Sequence, residues 1–503
     1  MASGTLTSRI LGLLRDMALG ALFERSITDA WTAAFRLPNL FRRLFGEGSL
    51  SVSFIPVFME ARAEDLHGPR AQNLMNALYT LLLIFLGTLT LLGIVFTEDI
   101  LRLLLASDYS LDLTKWELTV RMARIMFGFI FFVCSYAYFM AILNSLGSFG
   151  LPALAPALLN VAMLIFTFMP PSWFPQIGDG LAWGVLVGGA LQALLLWIAL
   201  RSRGYLPHFR LHNTFTEDTK KVLRNMLPGL IGMGLLQFST LVNLYFASSL
   251  AEGSISYIYW ADRLLELPLS LISVSLGAAL LPTLSEYVAQ KNQVQFQQTA
   301  QESFLMNLFL ALPAAVGLFV LAEPIIEVLF LRGRFTVADV AATSGVLKIY
   351  ALSLLMISCS RVLMPLYYAI KNTWFPAVVS GLCLSVHILL APLLMAHSGL
   401  NGLILSGMIG AFLNAVVLLA GLRVWNLQFQ WGRVGKSLGK ILVACAALAV
   451  SLQSYSLLMA LTGRGLQVLA LFVTIFIAVL VYFAFAAILR CEQVSRIRPS
   501  SRP

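Results

Sequence analysis

Charge is scarce in this chain. Asp, Glu, Lys and Arg make up 12% of its 503 residues, against 59% hydrophobic ones. A soluble globular protein carries about 25% charged residues. The soluble class is therefore excluded and a polytopic membrane protein is expected. Cysteine is also rare. Cys134, Cys359, Cys383, Cys445 and Cys491 form no CxxC pair, and the first four lie in apolar stretches. They read as small buried hydrophobes and provide neither a disulfide framework nor a metal site. The five histidines (His67, His208, His212, His387, His397) show no HExxH spacing and no acid partner at helical spacing. Gly435-Lys436-Ser437 resembles the end of a P-loop, but Gln430 stands where the earlier glycine belongs and no strand precedes it. No catalytic residue, ATPase site, metal site or cofactor is expected. A cleavable signal peptide is not expected either, because Arg9, Arg15 and Asp16 interrupt the first apolar stretch. Acidic residues are fewer than basic ones, 24 against 34, for a net charge of +10. The surplus sits in loops between apolar spans and at the tail, where orientation signals lie. Nucleic acid is thus not the expected partner.

Long apolar runs are what the chain has in abundance. Counting stretches of roughly 20 residues predicts about fourteen transmembrane helices. They fall near 3–24, 28–60, 71–96, 117–147, 151–170, 180–200, 222–250, 254–285, 302–331, 338–370, 373–396, 398–422, 438–461 and 465–489. With both termini in the cytoplasm, the loops carrying Arg201, Arg203, Arg210, Lys220 and Lys221 fall inside, as does the tail with Arg490, Arg496 and Arg498. The outer loops are poorer in Lys and Arg, although Arg332-Gly333-Arg334 runs against the rule.

The chain repeats itself weakly. Ser53-Phe54-Ile55-Pro56 pairs with Ala279-Leu280-Leu281-Pro282, and Glu98-Asp99-Ile100-Leu101 with Glu323-Pro324-Ile325-Ile326. Ala141-Ile142-Leu143-Asn144 pairs with Ala369-Ile370-Lys371-Asn372. The shared offset of about 225 residues suggests two pseudo-symmetric six-helix lobes, a plan that places a transport site at the midplane. The expected division is 1–215 for the first lobe and 216–424 for the second. Residues 425–503 would add a basic linker, two further helices and a cytoplasmic tail.

One stretch stands out, Thr28 to Glu60. It is apolar enough for a membrane yet carries Arg36, Arg42, Arg43 and Glu47, and is broken by Pro38, Gly46, Gly48 and Pro56. A charge near the bilayer centre costs at least about 3 kcal/mol. Several cations in one segment therefore point to a bent helix turned towards a polar cavity. On a helix Arg36, Asn39, Arg43 and Glu47 share one face, with Arg42 beside it. Arg9, Arg15 and Asp16 add charge to the preceding span. In the second lobe Asp262 and Glu266 are i,i+4 with Arg263 between them, and Arg361 sits mid-span. Guanidinium forks stay charged and bind phosphate bidentately. The carboxylates could hold the arginines while a site is empty. Internal salt bridges and snorkelling arginines are the alternative reading of the same residues. A cation or drug exporter would need surplus carboxylate, whereas this chain has surplus arginine; a membrane scaffold has no use for buried arginine.

The motifs resemble the opening of the MurJ (MviN) family. They are Ser8-Arg9-Ile10-Leu11-Gly12, Arg15-Asp16, Thr28-Asp29-Ala30 and the run from Phe35 to Gly48 (FRLPNLFRRLFGEG). Ala261-Asp262-Arg263-Leu264, Leu281-Pro282 and Phe330 to Phe335 (FLRGRF) extend the likeness over nearly the whole chain. The resemblance implies a lipid II flippase of the bacterial inner membrane, within the multidrug/oligosaccharidyl-lipid/polysaccharide exporter superfamily, working by alternating access. It implies a cationic cavity that binds substrate through Arg9, Arg15, Arg42 and Arg263, with Asn39 and Ser256. Asp16, Asp29, Glu47, Asp262 and Glu266 would gate or hold salt bridges, and Arg36, Arg43 and Arg361 are secondary candidates. The implied cargo is undecaprenyl-pyrophosphate-linked disaccharide-pentapeptide, its tail in a groove of the last two helices. Membrane lipid and other cell-wall synthesis proteins are candidate partners. Coupling to the membrane potential or a monovalent cation stays open, and a drug or cation exporter of the same superfamily is the alternative function.

Overall fold

Without water, backbone N–H and C=O groups can pair only with each other, and in a single apolar span that leaves the helix. The computed structural model describes residues 2–45, 50–64, 69–212, 214–424, 429–462 and 466–497. Among the described residues the chain is helical and has no strand. By packing it divides into two units, residues 1–256 with 332–334, and residues 257–331 with 335–503.

The first unit contains α1 (Ala2–Leu22), α2 (Arg25–Leu44), α3 (Leu50–Glu64), α4 (Pro69–Val95), the short α5 (Thr97–Leu104), α6 (Leu113–Ser145), α7 (Gly150–Phe168), α8 (Asp179–Arg201) and α9 (Glu217–Ser248). Helix α6 is its axis. It packs on α8, α2, α4 and α3, while α7 joins α8 to α1. Small residues allow this approach. A Cβ on Gly189 would lie 2.5 Å from the Phe129 ring, and one on Gly188 2.9 Å from Leu159 Cα. Buried Tyr138 on α6 donates its hydroxyl to Met75 O on α4 at 2.7 Å, so the ring fills the core and its polar tip is satisfied. The expected bent helix over 28–60 is two helices, α2 and α3; Gly46, Glu47 and Gly48 lie outside the described residues. Pro38 sits inside α2 without ending it.

The second unit takes up the chain in α10 (Ser254–Leu269), whose first three residues group with the first unit. One π-helical turn, Ser270–Val274, follows Pro268, and then α11 (Ser275–Ala289). Such turns occur often at functional sites, and this one interrupts the segment that carries Asp262, Arg263 and Glu266. Next come α12 (Gln293–Val320), α13 (Ala322–Phe330), α14 (Val337–Ala369), α15 (Trp374–Val424), α16 (Trp431–Leu452), α17 (Ser454–Thr462), α18 (Gln467–Ile488) and α19 (Glu492–Ile497). Helix α14 packs on α15, α12 and α11, and α16 packs on α18 and α12. The C-terminal pair is tied in by Tyr482, which donates its hydroxyl to Phe309 O at 2.6 Å.

Ten helices among the described residues are long and apolar enough to cross a membrane. One of them, α15, holds two of the expected spans. Its helical geometry breaks at Gly399 (φ 53°, ψ −127°), a conformation that only glycine adopts readily. A Cβ on Gly402 would lie 2.1 Å from Leu394 O, so the reversal also needs glycine there. His387 and Ser406, on either side of the break, are buried and hydrogen-bonded at 2.9 Å, a structural task for that histidine. The expected spans 3–24, 28–60 and 222–250 are helical as α1, α2 with α3, and α9. Apolar side chains face outward, as in lipid: Leu389 is 71% exposed and Phe472 66%. The packing boundary after Ser256 differs from the repeat boundary near residue 215, because α9 packs on α3, α2 and α4.

Candidate functional site

The polar residues expected in the first unit are drawn into three groups. The first lies on α1. Arg15 and Asp16 are buried, and Arg15 donates from Nε and Nη2 to Asp16 Oδ1 at 2.9 and 2.6 Å. Its Nη1 donates to Asn160 Oδ1 on α7 at 3.0 Å. Asn160 Nδ2 in turn donates to Ser8 O at 2.9 Å. The guanidinium is held by both Asp16 and Asn160. A buried cation is tolerable only with such pairing. Arg9 is half-buried on the same helix.

The second group is on α2. Arg36 and Asn39 are buried, while Arg42 and Arg43 are half-buried. Arg42 Nε donates to Asn39 Oδ1, one turn back, at 2.8 Å. The helical stripe alone selects Arg43 as the partner of Asn39 on one face; the structure joins Asn39 to Arg42. The reason is that three residues back on a helix is also a neighbour, and Nε of a long side chain reaches it.

The third group centres on Asp29, 1% exposed at the start of α2. Its Oδ2 accepts from Gly253 N at 2.7 Å and from Lys115 Nζ at 3.1 Å. Its Oδ1 accepts from Ser256 N at 2.9 Å and Ser256 Oγ at 2.7 Å. Asp29 thus satisfies orphan N–H groups at the start of the helix that opens at Ser254, where a negative charge is favourable. Ser256, expected at the substrate, is committed here to Asp29, with Thr28 Oγ1 also within 3.0 Å.

In the second unit Arg263 is partly exposed. Its Nη2 donates to Tyr259 Oη at 2.9 Å, its guanidinium lies 4.9 Å from that ring centre, and Nη1 is 3.6 Å from Glu266 Oε2. The side chains of Arg263 and Glu266 are 29% and 34% exposed. Asp262 is half-buried and Arg361 is exposed. Glu47 lies outside the described residues. Among the described residues no group of three or more His, Cys, Asp or Glu could hold a metal ion.

Sequence reasoning missed Lys115, Asn160 and Tyr259. Asn160 had a signal, an amide in an apolar run. Tyr259 had one too, four residues before Arg263. Lys115, in the first turn of α6, had none beyond lying in a stretch expected as an outer loop. Also missed was a clasp between the ends of three helices. Arg70 on α4 donates from Nε and Nη2 to both oxygens of Asp218 on α9 at 2.8 Å each, and Lys221 Nζ meets Glu60 Oε2 at 2.7 Å. Arg70 also pairs with Glu64.

The fold and the site define a polytopic helical membrane protein that holds charged groups within its spanning segments. A structure titled "Inward-facing conformation of a multidrug resistance MATE family transporter of the MOP superfamily" matches with a TM-score of 0.70 at 17% identity, over 84% of this chain and 95% of that one. The chain belongs to the MurJ family: the family model described as "Lipid II flippase MurJ" matches residues 19–474. A probable lipid II flippase MurJ of Bdellovibrio bacteriovorus is 68% identical, covering all of this chain and 96% of the relative. A lipid II flippase MurJ of Burkholderia cenocepacia is 34% identical over 83% and 82%. A solved lipid II flippase MurJ in an inward closed conformation matches with a TM-score of 0.81 at 25% identity, over 98% and 99%.

Proposed function

We propose that this chain flips lipid II from the cytoplasmic to the periplasmic leaflet of the bacterial inner membrane by alternating access, both termini cytoplasmic, with the pyrophosphate held by arginines. The observation that carries the reading is Arg263. It is a guanidinium inside an apolar helix, partly exposed and in contact with Tyr259 and Glu266. A guanidinium fork suits phosphate, and a carboxylate neighbour can hold it when the cargo is absent. Arg42, steadied by Asn39, is a second candidate of the same kind. Arg15 is different. It is buried and fully engaged, so it shapes α1 before it meets any ligand. The two lobes of the repeat, 1–215 and 216–424, would rock about the bound head group while the polyprenyl tail stays in lipid.

An inward-negative potential drives an anion outward and favours the return of an empty cationic site. Each full charge crossing is worth ~2.3 kcal/mol per 100 mV. The test is flipping of lipid II by the purified protein in proteoliposomes. Wild type is expected to flip, Arg263→Ala to lose at least about tenfold, and Arg263→Lys to recover part. Undiminished flipping by Arg263→Ala refutes the phosphate assignment, and indifference to an imposed potential refutes the voltage coupling.

A further inference from the structure

At one end of the first unit a cavity of about 360 Å³ is lined by Glu98, Trp116, Glu117, Arg121, Arg124 and Gln176, among others. Its volume lies at the lower end of small-ligand pockets. Glu117, Arg121 and Arg124 follow i, i+4, i+7 on α6, so one helix face presents both signs of charge to one space. The arginines are held from outside that face. Arg121 Nη1 donates to Asp179 Oδ2 at 3.2 Å, and Arg124 Nη2 to Glu98 Oε1 at 3.0 Å. Each guanidinium keeps further donors. Glu117 has no ion-pair partner among the described residues. Asp179 is 1% exposed, and its Oδ1 has no hydrogen-bond partner among the described residues. Buried Trp116 and Val120 supply an apolar wall.

We infer that this cavity binds the head group of an aminophospholipid: phosphate on Arg121 and Arg124, ammonium on Glu117. A bare cation meets two guanidinium groups there, and a bare phosphate meets an unpaired carboxylate. A head group with both charges satisfies both. The neighbouring connection exposes Leu103, Leu111 and Leu113 by 80, 79 and 69%, as a segment in contact with acyl chains would. In the proposed orientation this end faces the outer leaflet, so the inference rests on that orientation but not on the flipping reaction.

The experiment uses the full chain in nanodiscs of equal phosphatidylethanolamine, phosphatidylglycerol and phosphatidylcholine, with retained lipid read by native mass spectrometry after release into detergent. Wild type is expected to retain phosphatidylethanolamine about tenfold over the other two, the loss of one charge-assisted hydrogen bond being of that size. Glu117→Gln is expected to abolish the preference, and Arg124→Gln to lower retention of all three, each with an unchanged unfolding midpoint. Soluble phosphoethanolamine should displace the retained lipid better than inorganic phosphate does. Equal retention of the three lipids by wild type, an unchanged preference in Glu117→Gln, or equal displacement by inorganic phosphate overturns the site. Flipping activity is unaffected by any of these outcomes, so the functional proposal is judged separately.

Discussion

Asp29 and Ser256 are joined twice, through the backbone N–H and the hydroxyl of the serine, although 227 residues separate them. Both bonds end on Oδ1 of a carboxylate that is shut off from water, while Lys115 and Gly253 occupy Oδ2. The helix that leads to Arg263 therefore begins on an anchor set by α2.

Removing that anchor should be costly. Breaking a buried charged pair by deleting one partner costs about 3 kcal/mol or more. Asp29→Ala is expected to lower the unfolding midpoint of the purified protein by that order. Ser256→Ala should cost nearer 1 kcal/mol, since the backbone bond survives. Additive effects in the double variant would contradict the direct contact.

Asn160→Leu should destabilise through Arg15. It leaves Nη1 of a buried guanidinium without its oxygen, at about 1–3 kcal/mol. Asn160→Asp would keep the acceptor for Arg15 but lose the donor to Ser8 O, so it should recover only part of the loss. A thermal melt that ranks Leu at or above wild type would refute this account of the α1–α7 contact.

Arg42 and Arg43 should differ. Arg42→Ala is expected to fail in cells that depend on this protein, at normal protein levels, and Arg43→Ala to support growth. The basis is the Asn39 bond, which orients only Arg42 among the two by that amide. Growth of the Arg42→Ala strain equal to wild type would remove Arg42 from the site.

The clasp at Asp218 should respond to acid in one direction. The bidentate bond from Arg70 holds the Asp218 carboxyl below its usual range. A lowered folded-state value means that the stabilisation is fully present above the ordinary aspartate value, near ~4, and is lost as pH falls through the folded value. The gap in unfolding midpoint between wild type and Asp218→Asn should therefore be constant from neutral pH to about 5 and close below about 4. A gap that opens on acidification would contradict the assignment.

Much of this molecule was legible without coordinates. The apolar runs set the helices, because a backbone in hydrocarbon has few other ways to satisfy itself. Their spacing predicted the reversal near 397, and Gly399 supplied the geometry. The excess of arginine over carboxylate pointed to an anionic cargo, and the FRLPNLFRRLFGEG run pointed to the family. What stayed hidden was which polar groups meet. Helical periodicity places Arg43 in line with Asn39, but side-chain reach decides for Arg42. No local pattern links Asp29 to residues 253–256, Arg15 to Asn160, or Arg70 to Asp218, since these contacts close loops of well over one hundred residues. The sequence by itself determined where the membrane segments run and what sign of charge they carry, because burial in lipid acts on each segment separately. Only the tertiary structure decided which of those charges meet which partners, as Asp29 meets Ser256 and Arg15 meets Asn160, because pairing depends on distance between segments and not on their composition.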